Sequence, residues 1–209
     1  MYFDIETLPA DAEQQKILKK VFDKKKAKYP KMRMSYEEFL GYTNFSGAFG
    51  RICCIAYVID DGEIQVLSGN ELEMLKKFWQ IAKDIDLYVG FNILDFDLRF
   101  LYQRSVILKI RPSQNISFRR YQNAPIYDLM HEWTKWSGKI SMDELAHALG
   151  IASSKQNIDG SQVFEYYQKG KLKEICDYCK EDVRVTRQIY RRLNFEDADI
   201  EGQDVSTLF

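Results

Sequence analysis

Histidine is nearly absent from this 209-residue chain, which has only His131 and His147. Neither sits at a metal-ligand spacing, so a histidine-built metal site is excluded. Both read as structural, with substrate contact left open for His131. No run of ~18 apolar residues occurs, which excludes an apolar membrane-spanning helix, and no basic-then-apolar leader opens the sequence. The cysteines are Cys53, Cys54, Cys176 and Cys179. The adjacent pair lies in an apolar run and reads as core thiols. Cys176-Asp177-Tyr178-Cys179 has CxxC spacing, but no second pair completes a zinc site and no thioredoxin-like context surrounds it. It reads as helical and incidental. With no secretory signal, disulfides are not expected and a reducing cytoplasm is the expected compartment. The net charge of −1 excludes a protein that coats nucleic acid through a global basic field, while leaving room for an enzyme that handles nucleic acid in one groove. Internal repeats and low-complexity segments are also missing.

What is present is a composition suited to one domain with a sizeable core: 45% hydrophobic and 29% charged residues. Tyr and Phe dominate the 14% of aromatics, which serve a core or stack on unpaired bases. Met1 to Ile5 reads as a short strand closed by Thr7-Leu8-Pro9. Lys16 to Arg33 is lysine-rich with Ile17, Leu18, Val21 and Phe22 interleaved, and fits either a solvated helix or a basic flank tracking a phosphate backbone. Arg51 to Asp60 reads as a buried strand, Asp61-Gly62 as a hairpin turn and Glu63 to Leu67 as the return strand. Helical spacing runs over Glu71 to Lys83 and Phe96 to Leu108, with a buried strand at Leu87 to Gly90 between them. From Tyr127 onward the pattern is mainly helical. A capping box at Ser141 and Glu144 opens a helix through Leu149, and the last long helix spans Lys171 to Leu193. Residues after Asn194 are acidic and lack Lys and Arg, so a loose tail is expected over 195–209 behind a domain at 1–194. Strands that come first, with helices between and after them, imply an α/β layered fold on a mixed sheet.

Three acidic clusters carry the chemistry. In Asp4-Ile5-Glu6 the two carboxylates point to one face of a strand, which is costly in an apolar segment unless a cation compensates. In the segment from Gly90 to Asp97, a buried strand ends, the chain turns and a helix begins with Asp95 and Asp97. Residues two apart on a helix diverge, so only one of these acids faces a common site, and spacing alone leaves the choice open. Tyr178 and Asp182, four apart, share one helix face.

Taken in order, these residues resemble the three motifs of the DEDD exonuclease superfamily, in its tyrosine-bearing subclass; the histidine subclass would need His where this chain has Asp177. The segment Val89-Gly90-Phe91-Asn92-Ile93-Leu94-Asp95-Phe96-Asp97-Leu98-Arg99-Phe100-Leu101 looks like the second motif of family-B DNA polymerase proofreading domains, in which the ligand is the Asp after the Phe. The closest resemblance is to stand-alone bacterial exonucleases related to that domain. It covers Phe3 to about Leu193 and leaves no room for a polymerase domain.

The resemblance implies an RNase H-like mixed β-sheet flanked by helices, with additional C-terminal helices. It implies that Asp4, Glu6, Asp97 and Asp182 hold two Mg²⁺ or Mn²⁺ ions, and that Tyr178 orients the attacking water. Thr7, Leu8, Asn92 and Phe96 would meet the terminal nucleotide. The partner it implies is a single-stranded 3′ end, DNA being favoured over RNA, and no membrane. An endonuclease or resolvase on the same fold, an exoribonuclease and an inactive nucleic-acid-binding descendant are the competing readings. The terminal Leu208-Phe209, behind an acidic segment, vaguely resembles peptides that dock into a sliding clamp.

Overall fold

The computed structural model describes residues 1–154 and 158–196. The remainder of the expected tail, with Leu208-Phe209, lies outside the described residues. Five strands form one mixed sheet in the order β3-β2-β1-β4-β5. They are β1 (Tyr2–Leu8), β2 (Arg51–Val58), β3 (Gln65–Ser68), β4 (Tyr88–Gly90) and β5 (Ile126–Asp128). β1 to β3 run antiparallel as neighbours, while β4 pairs parallel with both β1 and β5. Helices α1 (Gln15–Lys28) and α2 (Tyr36–Gly41) lie between β1 and β2, and a 3₁₀ turn over Tyr42–Phe45 follows α2. Then come α3 (Glu71–Ile81), α4 (Asp97–Ile107), α5 (Leu129–Thr134), α6 (Met142–Ala148), α7 (Val163–Gln168) and α8 (Leu172–Leu193). This is the expected α/β architecture, a mixed sheet flanked by helices with more helices at its C-terminal end.

Strand alternation divides the core between two faces. Phe3, Ile5 and Ile55 pack with Leu75 and Phe78 of α3 and Leu98 and Leu101 of α4. Tyr2, Ala56 and Val58 pack with Ile175, Cys179, Val183 and Ile189 of α8. A register shift between Glu6 and Thr7 leaves Cys53 as the extra residue of β2. Such a bulge puts neighbours on one side, and both Cys53 and Cys54 accordingly join the core beneath α8. No helix among the described residues is long and apolar enough to cross a membrane.

Two elements escape the sequence pattern. β5 is three residues long and sits at the start of a segment with helical spacing, and α2 has six residues. Segments this short carry less than two periods of any hydrophobic repeat. β1 also runs on to Leu8, because β2 pairs with it across the bulge as far as Arg51.

The β4–α4 connection depends on Gly90. A Cβ there would lie 2.0 Å from Cγ2 of Ile93 and 3.1 Å from the Phe3 carbonyl oxygen. Gly90→Ala is therefore expected to destabilise the protein by about 1–3 kcal/mol through overpacking. An unchanged urea midpoint would refute that account of the turn.

Candidate active site

Each acidic cluster reaches the same cleft by a different route. Asp4 and Glu6 project from β1 toward α8, as their two-residue spacing requires. Asp97 opens α4, where its Oδ1 accepts from the Ile5 amide at 3.1 Å and so lies across the end of β1. Tyr178 and Asp182 share the face of α8 that lies over the sheet, and their side chains hydrogen-bond to each other. All five line an open cleft of about 530 Å³. Carboxylate oxygens of Asp4 and Glu6 and the Cys179 Sγ fall within 4.8 Å of one another.

Of the other residues singled out in the sequence, Thr7, Asn92 and Phe96 line this cleft and Leu8 does not. Leu8 is 1% exposed and packed in the α8-side core. Thr7 is also structural, since its Oγ1 donates to the Asn44 carbonyl at 2.9 Å and so ties the 3₁₀ turn to β1. That turn brings Asn44 and Phe45 to the cleft wall, two residues with no motif to mark them. Asp95 stays outside, where it pairs with Arg99 at 3.2 Å and Arg120 at 2.7 Å. His131 stacks on Trp136 with ring centroids 4.1 Å apart, and its Nε2 is 3.4 Å from Asp95.

Two further residues shape the site. Asp128, at the end of β5, accepts from the amides of Asn92 (3.1 Å), Leu94 (3.0 Å), Met130 (3.1 Å) and His131 (3.3 Å). It caps α5 and also fixes the loop in which Asn92 adopts φ +60°, just ahead of Asp97. A buried carboxylate facing four amides is a strong anchor. The sequence offered only an Asp before an apolar helix start, an ordinary cap signal. Cys179 is the second. Its thiol donates to Asp4 Oδ2 at 3.3 Å, an interaction that reading the CxxC segment as incidental had missed.

The acids are held in a strained electrostatic state. Burial pushes the carboxyls of Asp4 and Glu6 well up; around Asp4 the neighbouring Asp97, Asp182 and Glu6 add to the effect, and around Glu6 Cys179 and Asp182 do. Burial also raises Asp97 to about 7, against the opposing bond from the Ile5 amide. Clustered hard oxygen donors that resist ionising are what a divalent cation relieves. The donor set therefore fits Mg²⁺ or Mn²⁺.

Comparison with known proteins agrees with this geometry. The fold is shared with the family B DNA polymerase from the hyperthermophilic archaeon Pyrobaculum calidifontis, at a TM-score of 0.65 and 19% identity over 92% of this chain and 24% of that one. A DNA polymerase of Archaeoglobus fulgidus is 26% identical over 148 residues, which make up 64% of this chain and 19% of that protein. The chain thus spans about a quarter or less of the length of these relatives. Residues 45–208 match the family of predicted 3′–5′ exonucleases related to the exonuclease domain of PolB, and the chain belongs to that family.

Two expectations follow. Asp128→Ala should lower stability by roughly 2–4 kcal/mol, because it leaves buried amides without an acceptor; Asp128→Asn, which keeps one acceptor oxygen, should lose less. Equal melting temperatures for Asp128→Ala and the parent protein would contradict the anchoring role. The second concerns pH. A carboxyl whose folded value is raised binds more protons folded than unfolded, so stability falls as pH rises between the two values. For Asp97 that window runs from 3.8 to about 7. The metal-free protein should therefore melt at a lower temperature at pH 7.5 than at pH 5, and Mn²⁺ should abolish the difference. A flat or rising metal-free profile would contradict the raised carboxyl of Asp97.

Proposed function

We propose that this chain is a divalent-metal-dependent 3′–5′ exonuclease that trims single-stranded DNA to nucleoside 5′-monophosphates. The observation that supports it most is the convergence of Asp4, Glu6, Asp97, Tyr178 and Asp182 on one cleft from a strand, a helix start and a helix face. Membership of the PolB-like exonuclease family supports the direction of attack, and relatives that are DNA polymerases support DNA over RNA. The tyrosine on α8 is the feature of the tyrosine-bearing subclass.

In this reading Asp4, Glu6, Asp97 and Asp182 hold two Mg²⁺ or Mn²⁺ ions, which supply Lewis-acid charge to a phosphodiester. The reaction transfers water to the terminal phosphorus and breaks its bond to the 3′ oxygen of the preceding nucleotide. That oxygen takes up a proton, and the terminal nucleotide leaves with its 5′ phosphate. Tyr178 keeps its proton. Burial first, then the charges of Asp182, Glu6 and Asp4, push its phenol far above the usual range. It therefore orients water or a phosphate oxygen by hydrogen bonding and does not act as a base. Asn92 and Phe96 face the sugar and base of the last nucleotide from the cleft wall, and a ring such as that of Phe96 suits stacking, which tolerates any base. Leu8 has no surface to offer and drops out of the substrate contacts.

The test is a time course on end-labelled single-stranded DNA and RNA with Mg²⁺, Mn²⁺ and chelator. Mononucleotides should appear first, from the 3′ end, and only with metal. Internal fragments would indicate an endonuclease, a strong RNA preference would indicate an exoribonuclease, and no hydrolysis under any metal would indicate a binding module. Asp4→Ala and Asp182→Ala should abolish activity in a folded protein, whereas Tyr178→Phe should retain a measurable fraction. Full activity in either Asp variant would overturn the site.

A further inference from the structure

The insert between β1 and β2 has no task in the chemistry above, yet it adjoins the cleft. Between Lys16 and Arg33 there are nine basic residues and one acid, Asp23, in a chain whose net charge is −1. α1 buries only Leu18 and Phe22. At 100° per residue, Lys16, Lys20 and Lys24 form one stripe on the opposite, outward face. Among the described residues none of these three has an ion-pair partner, whereas Lys19 is held by Asp23 at 2.8 Å. Three unpartnered lysines on one face repel one another and favour an anionic occupant.

The insert also carries rings to the cleft. Phe22 of α1 packs on Tyr36 and Phe39 of α2, with centroids 5.4 Å away in each case. α2 leads directly into the 3₁₀ turn, where Tyr42 is 59% and Phe45 64% exposed. The Tyr42 and Phe45 rings are 6.3 Å apart, and Phe45 is 6.2 Å from Phe96 in the cleft. The result is a row of three rings leading outward from the cleft, with two members open to solvent; behind it lies α1, whose lysine stripe faces away from α2, so a strand leaving the rings crosses α2 to meet it. Rings interleaved with positive charge are the combination that holds unpaired bases and their backbone.

We propose that the insert is a docking track for single-stranded DNA upstream of the scissile nucleotide: Tyr42 and Phe45 stack on its bases and Lys16, Lys20 and Lys24 neutralise its phosphates. This rests on the exonuclease reading and assigns that site a binding surface beyond the terminal nucleotide.

The experiment compares a 20-nucleotide oligo(dT) with the dinucleotide of thymidine, using the full chain and two variants, the triple Lys16→Ala/Lys20→Ala/Lys24→Ala and the single Tyr42→Ala. Affinity for the 20-mer is measured by fluorescence anisotropy in Ca²⁺, and hydrolysis of both substrates in Mn²⁺. The triple variant should weaken 20-mer binding and reduce the slope of log affinity against log salt by about 2, the share of three phosphate contacts on a single strand. Tyr42→Ala should weaken the same binding by roughly five- to a hundredfold, the range for one lost base stack. Both should leave dinucleotide hydrolysis unchanged. An unaltered salt slope, or equal losses on the dinucleotide and the 20-mer, would overturn the track. So would a lysine dependence confined to oligo(rU), or one confined to vesicles of anionic phospholipid, which the exposed Ile17 and Val21 on α1 would also suit. A parent protein that hydrolyses neither DNA nor RNA would instead sink the exonuclease reading itself.

Discussion

Burial of four carboxyl groups side by side in one cleft is the constraint on which the rest of this structure depends. Each acid alone would be cheap at the surface. Together, beside apolar Ile5 and beneath α8, the carboxyls of Asp4, Glu6 and Asp97 are pushed upward by burial and the neighbouring acids add to it, and the fold has to hold them there. It does so by taking them from elements that cannot move apart. β1 is a central strand, with β2 on one side and β4 on the other. α8 lies across it through Ile175, Cys179, Val183 and Ile189. The start of α4 is bonded to the backbone of β1 itself. The arrangement thus keeps hard oxygen donors together in one cleft, as the proposed two-metal chemistry requires.

Rigidity is reinforced where the chain is irregular. In the turn between β4 and α4 the Phe96 amide donates to the Asn92 carbonyl at 3.0 Å, and Asp128 supplies acceptors for the amides of Asn92 and Leu94. The 3₁₀ turn at the opposite cleft wall is tied to β1 by Thr7, and Thr43 in the same turn accepts from the Ala10 amide. Further out, Glu71 accepts from Arg104 through both oxygens and from the Ile52 amide, so one buried ion pair joins α3, α4 and β2. Such a pair does little for net stability, but losing one partner strands the other charge, so it specifies how these elements meet.

How much of this was legible in the sequence follows from the range of each interaction. The mixed α/β sheet, the long α8 and the pairing of Asp4 with Glu6 and of Tyr178 with Asp182 on one cleft were legible, because strand alternation and four-residue helix spacing act locally. The choice of Asp97 over Asp95 was not available from spacing, and came from the resemblance. In space the two part because Asp97 faces β1 while Asp95 is drawn off by Arg99 and Arg120, the second of them 25 positions away. Leu8 went astray because alternation puts it on the same face as Asp4 and Glu6, but at the strand end that face is closed by core packing, which the sequence does not mark. β5, Asp128 and Phe45 act through partners 30 or more residues distant, beyond the reach of any periodicity.

Cys179 shows why a local reading can misjudge chemistry even when the structural element is right. The CxxC segment is helical, as its spacing implied. Yet the same helix geometry that sets Tyr178 and Asp182 over the cleft points the Cys179 thiol at Asp4. Burial pushes that thiol far up its range, so it stays a donor. A lysine in its place would fix Asp4 more firmly but would cancel the charge a cation needs, because hydrogen bonds to ionised groups are about twice as strong as neutral ones. A thiol is a weak donor. Its bond opposes the upward push on Asp4, yet it ranks behind burial and the three neighbouring acids. It therefore sets the direction of the carboxylate while leaving most of its charge for the metal, which a stronger partner could not do.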